Sequence, residues 1–141
     1  MGLIEIVNVY SVTLGVLTAL ALLMFVQVVV ADVAAIKTRH TPGYPVEADH
    51  NSFLFRAVRA QGNTTETALI YVICACLCAV LSVNPTVANG FSVVYIAGRL
   101  GHMLCYYFNI RVMRSVSFAV SMSGIAGLLV SIIWAVGIVI S

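Results

Sequence analysis

Long apolar runs, separated by short polar segments, make up most of this 141-residue chain. A helix needs about 20 apolar residues to cross a bilayer core, and four runs meet that length. They predict helices over residues 6–31, 53–83, 87–110 and 115–140, the second and third of which also carry polar residues. The first run is too long for a secretory signal and predicts an uncleaved transmembrane helix.

Helix-breaking residues mark the connections between these runs. The segment "DVAAIKTRHTPGYPVEADHNS" holds two prolines and a glycine, so it predicts a loop, with Asn51 or Ser52 capping the second helix. Asn84 and Pro85 mark a tight turn, and "NIRVMRS" marks another. Short turns between successive helices favour an up-down-up-down bundle of four transmembrane helices.

Composition agrees with an all-α integral membrane protein. Hydrophobic residues make up 62% of the chain and charged residues 9%, against roughly 25% charged in a typical soluble domain. The length fits a single domain over residues 1–141. The net charge of +2 is too small, and the basic residues are too scattered, for nucleic-acid binding. The four cysteines lie in apolar runs, which predicts no disulfide, metal site or nucleophile among them.

The basic residues indicate an orientation. They flank the first and third connections, whereas the second connection and both termini have none. The positive-inside rule then places both termini outside the cytoplasm. A compact chain without a recognisable organelle signal favours a bacterial inner membrane.

Two of the predicted helices carry a polar stripe. On the second helix, four residues fall within about 80° of one another: Arg56, Arg59, Asn63 and Glu66. On the third, five fall within roughly 80°: Tyr95, Arg99, His102, Tyr106 and Asn109. A charge at membrane depth costs about 2.5–3.5 kcal/mol, so these stripes should face each other or a cavity.

The charges on these stripes do not balance. Glu66 is the single carboxylate available to five arginines, which are Arg56, Arg59, Arg99, Arg111 and Arg114. The surplus predicts a small anionic ligand near the cytoplasmic interface, because guanidinium forks match carboxylates. The alternative is a buried Arg–Glu pair that sets helix register, with the other arginines reaching to head groups.

The segment "RAVRAQGNTTE", followed by "AGRLGHMLCYYFNIRVMRS", resembles the MAPEG family of membrane-associated proteins in eicosanoid and glutathione metabolism, which includes microsomal glutathione transferases. The core of the resemblance is Arg59, Asn63 and Glu66. It implies a homotrimer that binds glutathione between neighbouring subunits, in a cleft open toward the cytoplasm. The implied partners are therefore other copies of the chain, glutathione, membrane lipids and a lipophilic electrophile.

The resemblance also implies roles for residues of the second helix. Arg59 and Arg56 would pair with the carboxylates of glutathione, Asn63 would hydrogen-bond its peptide groups, and Glu66 would bind its amine. Gln61 points away from the stripe, and would either reach the adjoining subunit's ligand or serve as a polar interface residue.

On the third helix, the resemblance implies that His102 and Tyr106 line the same cleft, while Arg99 braces the bundle. At the start of the fourth helix, Arg114 would stabilise the glutathione thiolate and Ser115 would donate to its sulfur. The preceding turn is one residue shorter than in some relatives, so Arg111 is the alternative to Arg114.

Two positions depart from the family pattern. Gly62 stands where several relatives have an arginine, and Phe118 stands where some have a tyrosine. The glycine removes a charge from the expected glutathione pocket, and the phenylalanine removes a hydroxyl near the expected sulfur position. The departures predict weaker glutathione binding or a different second substrate.

The leading hypothesis is a glutathione-dependent transferase or peroxidase that acts on lipophilic electrophiles, with no metal. The alternative is a non-catalytic MAPEG-like protein that binds lipids or serves as a scaffold. A small four-helix multidrug transporter is disfavoured, because such exporters need a carboxylate in the middle of the first helix and this chain offers only Gln27 there.

Overall fold

The computed structural model describes residues 2–140, and most of them are helical. Five helices follow one another along the chain: α1 (Leu3–Val9), α2 (Ser11–Lys37), α3 (Phe53–Val80), α4 (Pro85–Tyr107) and α5 (Arg111–Ile140). No strand occurs within residues 2–140. By length and composition, α2, α3 and α5 are candidate membrane spans. The chain is thus an all-helical membrane protein.

The first helical region differs most from the predicted range of 6–31. It is interrupted at Tyr10, and α2 then continues to Lys37, past the charged residue Asp32. The side chains of Asp32 and Lys37 are both exposed on the outside of the helix, so neither charge forces the chain out of the helical conformation. The helix ends just before the proline-containing loop instead.

The later helices also differ from their predicted ranges at the ends. The second helix ends at Val80 rather than at residue 83, and α5 begins at Arg111 rather than at residue 115. Hydrophobicity alone does not mark the start of α5, because a cation in the first turn of a helix can extend into solvent. Ser52 is the cap of α3, as one of the two predicted candidates, and its hydroxyl accepts from the Phe55 amide. The Asn84 side chain, in the predicted turn, also caps α4 by accepting from the Thr86 amide at 3.0 Å.

The interruption at Tyr10 is stabilised by a side chain of α4. Asn89 donates to the Val9 carbonyl at 2.9 Å and accepts from the backbone amide and the hydroxyl of Thr13. It therefore satisfies backbone groups on both sides of the break, which a buried chain must do. The Tyr10 hydroxyl lies within hydrogen-bond distance of the Cys78 and Val83 carbonyls, which anchors the break to the end of α3.

Three helices end in the same motif without glycine. Arg39, Ser82 and Asn109 follow α2, α3 and α4, and all three have a positive φ, between 52° and 58°. The amide after each of them bonds back into the last turn, for example from Ile110 to the Cys105 carbonyl at 2.8 Å. This is the Schellman arrangement, which satisfies the terminal carbonyls of a helix.

Successive long helices run in opposite directions, and α4 packs most extensively on α5. Glycines permit the close approach of this pair. A Cβ on Gly98 would lie 2.7 Å from the Ser121 Cα, and one on Gly124 would lie 2.7 Å from the Tyr95 amide nitrogen. The start of α3, the end of α4 and the start of α5 consequently meet at one end of the molecule.

Candidate functional site

Arg99 lies at the centre of this end of the molecule and is completely buried. Its guanidinium donates to the Asn63 carbonyl at 2.8 Å and to the Thr67 hydroxyl at 3.3 Å, both on α3. Its other face packs on the Phe118 ring of α5, 5.4 Å from the ring centroid. The side chain therefore braces α3, α4 and α5 against one another.

Asn63, Tyr106 and Arg114 form a chain of contacts beside Arg99. The Asn63 amide donates to the Tyr106 hydroxyl at 3.4 Å, and the Arg114 guanidinium lies 4.6 Å above the centroid of the Tyr106 ring. A guanidinium at this distance is attracted by the ring electrons. The three residues come from α3, α4 and α5, so tertiary packing is what brings them together.

A hollow of about 230 Å³ opens next to this chain of contacts. Five residues line it: Asn63, His102, Arg114, Ser115 and Phe118. The His102 ring meets the Tyr106 ring edge-on at 5.0 Å, and its buried Nδ1 has no hydrogen-bond partner among the described residues. A guanidinium, a hydroxyl and an amide thus surround a space that is suited to an anionic group.

The two arginines proposed for the start of the fourth helix occupy different positions. Arg114 and Ser115 line the hollow, whereas Arg111 is exposed and is not among its lining residues. Residues three apart in a helix are separated by about 300° of rotation, so Arg111 and Arg114 point in different directions. Of these two side chains, that of Arg114 reaches the Tyr106 ring. The geometry therefore favours Arg114 over Arg111.

Arg56 turns away from the hollow toward the loop between α2 and α3. Its guanidinium donates to the His50 carbonyl at 2.7 Å and to the Asn51 carbonyl at 2.9 Å. The side chain of His50 in turn contacts Arg114, with 3.4 Å between the histidine Nδ1 and the guanidinium nitrogen. Both His50 and His40 lie in the segment that the sequence predicts to be a loop, and no local pattern distinguishes one from the other.

The other two residues of the α3 stripe, Arg59 and Glu66, face outward and are exposed. Gln61, which lies off the stripe, is half-buried. Among the residues described, no hydrogen bond or ion pair joins Glu66 to an arginine, so the register-setting pair considered as an alternative is not formed within one chain. Arg59 contacts the site through its backbone, because its carbonyl accepts from the Asn63 amide at 2.8 Å.

Other parts of the molecule contribute little to this site. A larger hollow, about 570 Å³, lies at the opposite end between the α3–α4 turn and α5, and none of the predicted site residues lines it. The cysteines are free, and Cys74, Cys78 and Cys105 are buried. Residues 2–140 contain no group of three or more His, Cys, Asp or Glu side chains that could hold a metal ion.

Comparison with known proteins identifies the family. The model of the MAPEG family matches residues 11–134, which include all the residues that line the hollow. No curated protein matches the chain. The family match covers most of the chain and agrees with the resemblance in "RAVRAQGNTTE" and the segment around Arg99. The chain belongs to the MAPEG family.

Proposed function

We propose that the protein is a glutathione-dependent membrane transferase, with peroxidase activity on the same site, that acts on lipophilic electrophiles. Membership of the MAPEG family supports a role related to glutathione or eicosanoids. The observation that carries the proposal is the position of Arg114, stacked on Tyr106 at the wall of the hollow that it shares with Ser115 and Asn63. This arrangement presents a fixed positive charge to an anionic sulfur.

The subunits would each have four spans and would assemble as a homotrimer, and the exposed residues of α3 support contact with a neighbouring copy. Arg59 and Glu66 lie within the candidate span Phe53–Val80 and face away from their own bundle. Charges at membrane depth require a partner, and a neighbouring copy would supply a wall opposite them. Glutathione would fill the resulting cleft, with a carboxylate on Arg59, its amine on Glu66 and a peptide group on Asn63.

Thiolate formation is the chemical step that this site would promote. An unperturbed cysteine thiol has a pKa of about 8.5, so only a small fraction of it is ionised at neutral pH. A guanidinium close to the sulfur stabilises the anion, and a hydroxyl such as that of Ser115 donates a hydrogen bond to it. Arg114 and Ser115 would perform these two roles, and the thiol proton would be released to water.

The thiolate would then react with an electrophile that arrives from the lipid. With an aryl halide, sulfur forms a bond to the ring carbon and halide leaves. With a hydroperoxide, sulfur takes the terminal oxygen and the alcohol leaves, after which a second glutathione releases water and forms the disulfide. Both reactions need only an activated and positioned thiolate.

The same proposal includes an orientation. The arginines of the site and Lys37 lie where the long helices meet at one end of the molecule, so that end would face the cytoplasm, with both termini on the other side. The membrane would be a bacterial inner membrane. Labelling of a single cysteine, introduced at Gly2 or in the α2–α3 loop, with an impermeant maleimide distinguishes the two orientations.

The proposal is tested with purified protein, glutathione and a chromogenic aryl halide. We expect ultraviolet absorbance from bound thiolate and turnover of the halide, and we expect both to fall at least about tenfold in Arg114→Ala. Arg111→Ala tests the alternative arginine, and Lys37→Gln controls for the loss of a cation at the same end. Absence of both thiolate absorbance and turnover in the unchanged protein would refute the proposal.

The composition of the site favours a second candidate, a non-catalytic lipid-binding or scaffold protein. Phe118 lines the hollow without a hydroxyl, and Gly62 lacks the charge that the family pattern implies at a position where a Cβ would meet open space. This candidate predicts saturable binding of lipid without glutathione turnover, and no change in that binding in Arg114→Ala or Arg111→Ala.

A further inference from the structure

The side chain of His50, in the loop between α2 and α3, reaches the site. Its Nδ1 lies 3.4 Å from a guanidinium nitrogen of Arg114, and its ring meets the Phe55 ring edge-on at 5.1 Å. Arginine can only donate, so the histidine nitrogen accepts. The Arg114 guanidinium is thus held by two separate elements: the Tyr106 ring on α4 and His50 on the loop.

The backbone of His50 is itself fixed. Arg56 donates from one nitrogen to the carbonyls of His50 and Asn51, at 2.7 and 2.9 Å, and its guanidinium lies 5.7 Å from the centroid of the Phe53 ring. These contacts attach the end of the loop to the first turns of α3. They also occupy one terminal nitrogen of the guanidinium that the family resemblance assigned to a carboxylate of glutathione.

We propose that His50 is a positioning residue for Arg114, and that Arg56 acts through His50 by holding the loop rather than by binding glutathione. The inference rests on the proposed function for its catalytic consequence, and it deepens that function by assigning two further residues. Arg56, His50 and Arg114 form one connected unit from α3 through the loop to α5.

The physical reason is the length of the arginine side chain. Arg114 lies in the first turns of α5 and is only half-buried, so without lateral contacts it would occupy many rotamers. Stabilisation of a thiolate depends on where the guanidinium is, and a displacement of about 1 Å can cost roughly 100-fold in rate. Loss of His50 should therefore lower kcat and leave the KM for glutathione nearly unchanged.

Substitutions of His50 test this directly. We expect His50→Ala to lower kcat with the aryl halide about threefold to tenfold, with the KM for glutathione within about twofold of the unchanged protein. His50→Asn keeps an acceptor near the position of Nδ1 and should restore most of the loss. His40→Ala is the matched control in the same loop, because the His40 ring contacts only the Tyr44 carbonyl, at 3.0 Å. A raised KM with unchanged kcat in His50→Ala would overturn the proposal.

A double-mutant cycle tests the assignment of Arg56. If Arg56 acts through His50, Arg56→Ala and His50→Ala should lower kcat by similar factors, and the double variant should be little worse than either. Additive losses, together with a KM for glutathione that rises at least about tenfold in Arg56→Ala, would show that Arg56 binds the substrate instead.

A measurement without catalysis separates this inference from the proposed function. Phenylglyoxal modifies accessible arginines, and mass spectrometry follows its reaction with Arg114. We expect modification several-fold faster in His50→Ala and Arg56→Ala than in the unchanged protein or His40→Ala. If Arg114 is modified faster in these variants but the unchanged protein shows no turnover, the proposed function is refuted and the positioning of Arg114 is supported. Turnover in the unchanged protein, with identical modification and kcat in every variant, would refute the positioning alone.

Discussion

Arg99 donates to the backbone carbonyl of Asn63 at 2.8 Å, and this bond joins the buried centre of α4 to α3. Asn63 in turn donates to the Tyr106 hydroxyl, and its own side chain lines the hollow. The position of the site therefore depends on a guanidinium that does not line it. Two other nitrogens of Arg99 are buried without a hydrogen-bond partner among the described residues, so the bond to Asn63 is central to its placement.

Replacing Arg99 should distinguish the loss of its volume from the loss of its charge. Arg99→Ala creates a cavity and removes two hydrogen bonds, so we expect a loss of about 3 kcal/mol in the free energy of unfolding. Arg99→Met keeps much of the volume and removes a buried charge, so its loss should stay below about 1.5 kcal/mol. Thermal unfolding in detergent measures both. Equal stability of the two variants would contradict this account.

Close packing of α4 on α5 makes a prediction about two glycines of the same helix. The additional methyl group of Gly98→Ala would collide with the backbone of Ser121, and we expect a loss of about 1–3 kcal/mol. Gly90→Ala is the matched control, because its methyl group would meet open space. That change should leave stability unaltered or raise it by up to about 1 kcal/mol. Thermal unfolding decides, and a neutral Gly98→Ala would show that the helices do not approach as described.

The contact of Arg114 with Tyr106 predicts different effects for two substitutions of the tyrosine. Tyr106→Phe keeps the ring under the guanidinium and loses only the long bond to Asn63, so kcat/KM should fall by about threefold or less. Tyr106→Ala removes the ring, and a cation–π contact of about 1–2 kcal/mol corresponds to a fall of roughly fivefold to thirtyfold. Steady-state kinetics with glutathione and the aryl halide measure the difference. A larger loss in Tyr106→Phe than in Tyr106→Ala would contradict the stacking role.

Asn89 is expected to stabilise the break between α1 and α2. Asn89→Ala leaves the Val9 carbonyl and the Thr13 amide without their side-chain partner, which should cost about 1–2 kcal/mol, as the loss of a helix cap does. Asn8→Ala removes an exposed asparagine of α1 and serves as the control. Hydrogen exchange at the amides of residues 10–14 should increase in Asn89→Ala alone. Unchanged exchange there would exclude the capping role.

Several features of the fold follow from residues close together in the sequence. Ser52 caps α3 as predicted, because capping depends on a side chain and the amides of the next turn, and Asn84 lies in the turn that was predicted there and caps α4. Gly124 allows α5 to approach Tyr95, as the small residues of a membrane helix predict. The placement of Arg114 and Ser115 at the hollow also agrees with the family resemblance, while their catalytic roles remain predictions.

Apolar runs, turn residues and the motif around Arg59, Asn63 and Glu66 were sufficient to identify a helical membrane protein of the MAPEG family, because hydrophobicity and capping act over short distances along the chain. The contacts of each arginine depended on the tertiary structure. Arg56 reaches loop carbonyls, Arg99 bonds across to α3, and Arg114 lies between His50 and Tyr106. Long flexible side chains on one helical face have many possible partners, and only the packing of α3, α4, α5 and the loop selects among them.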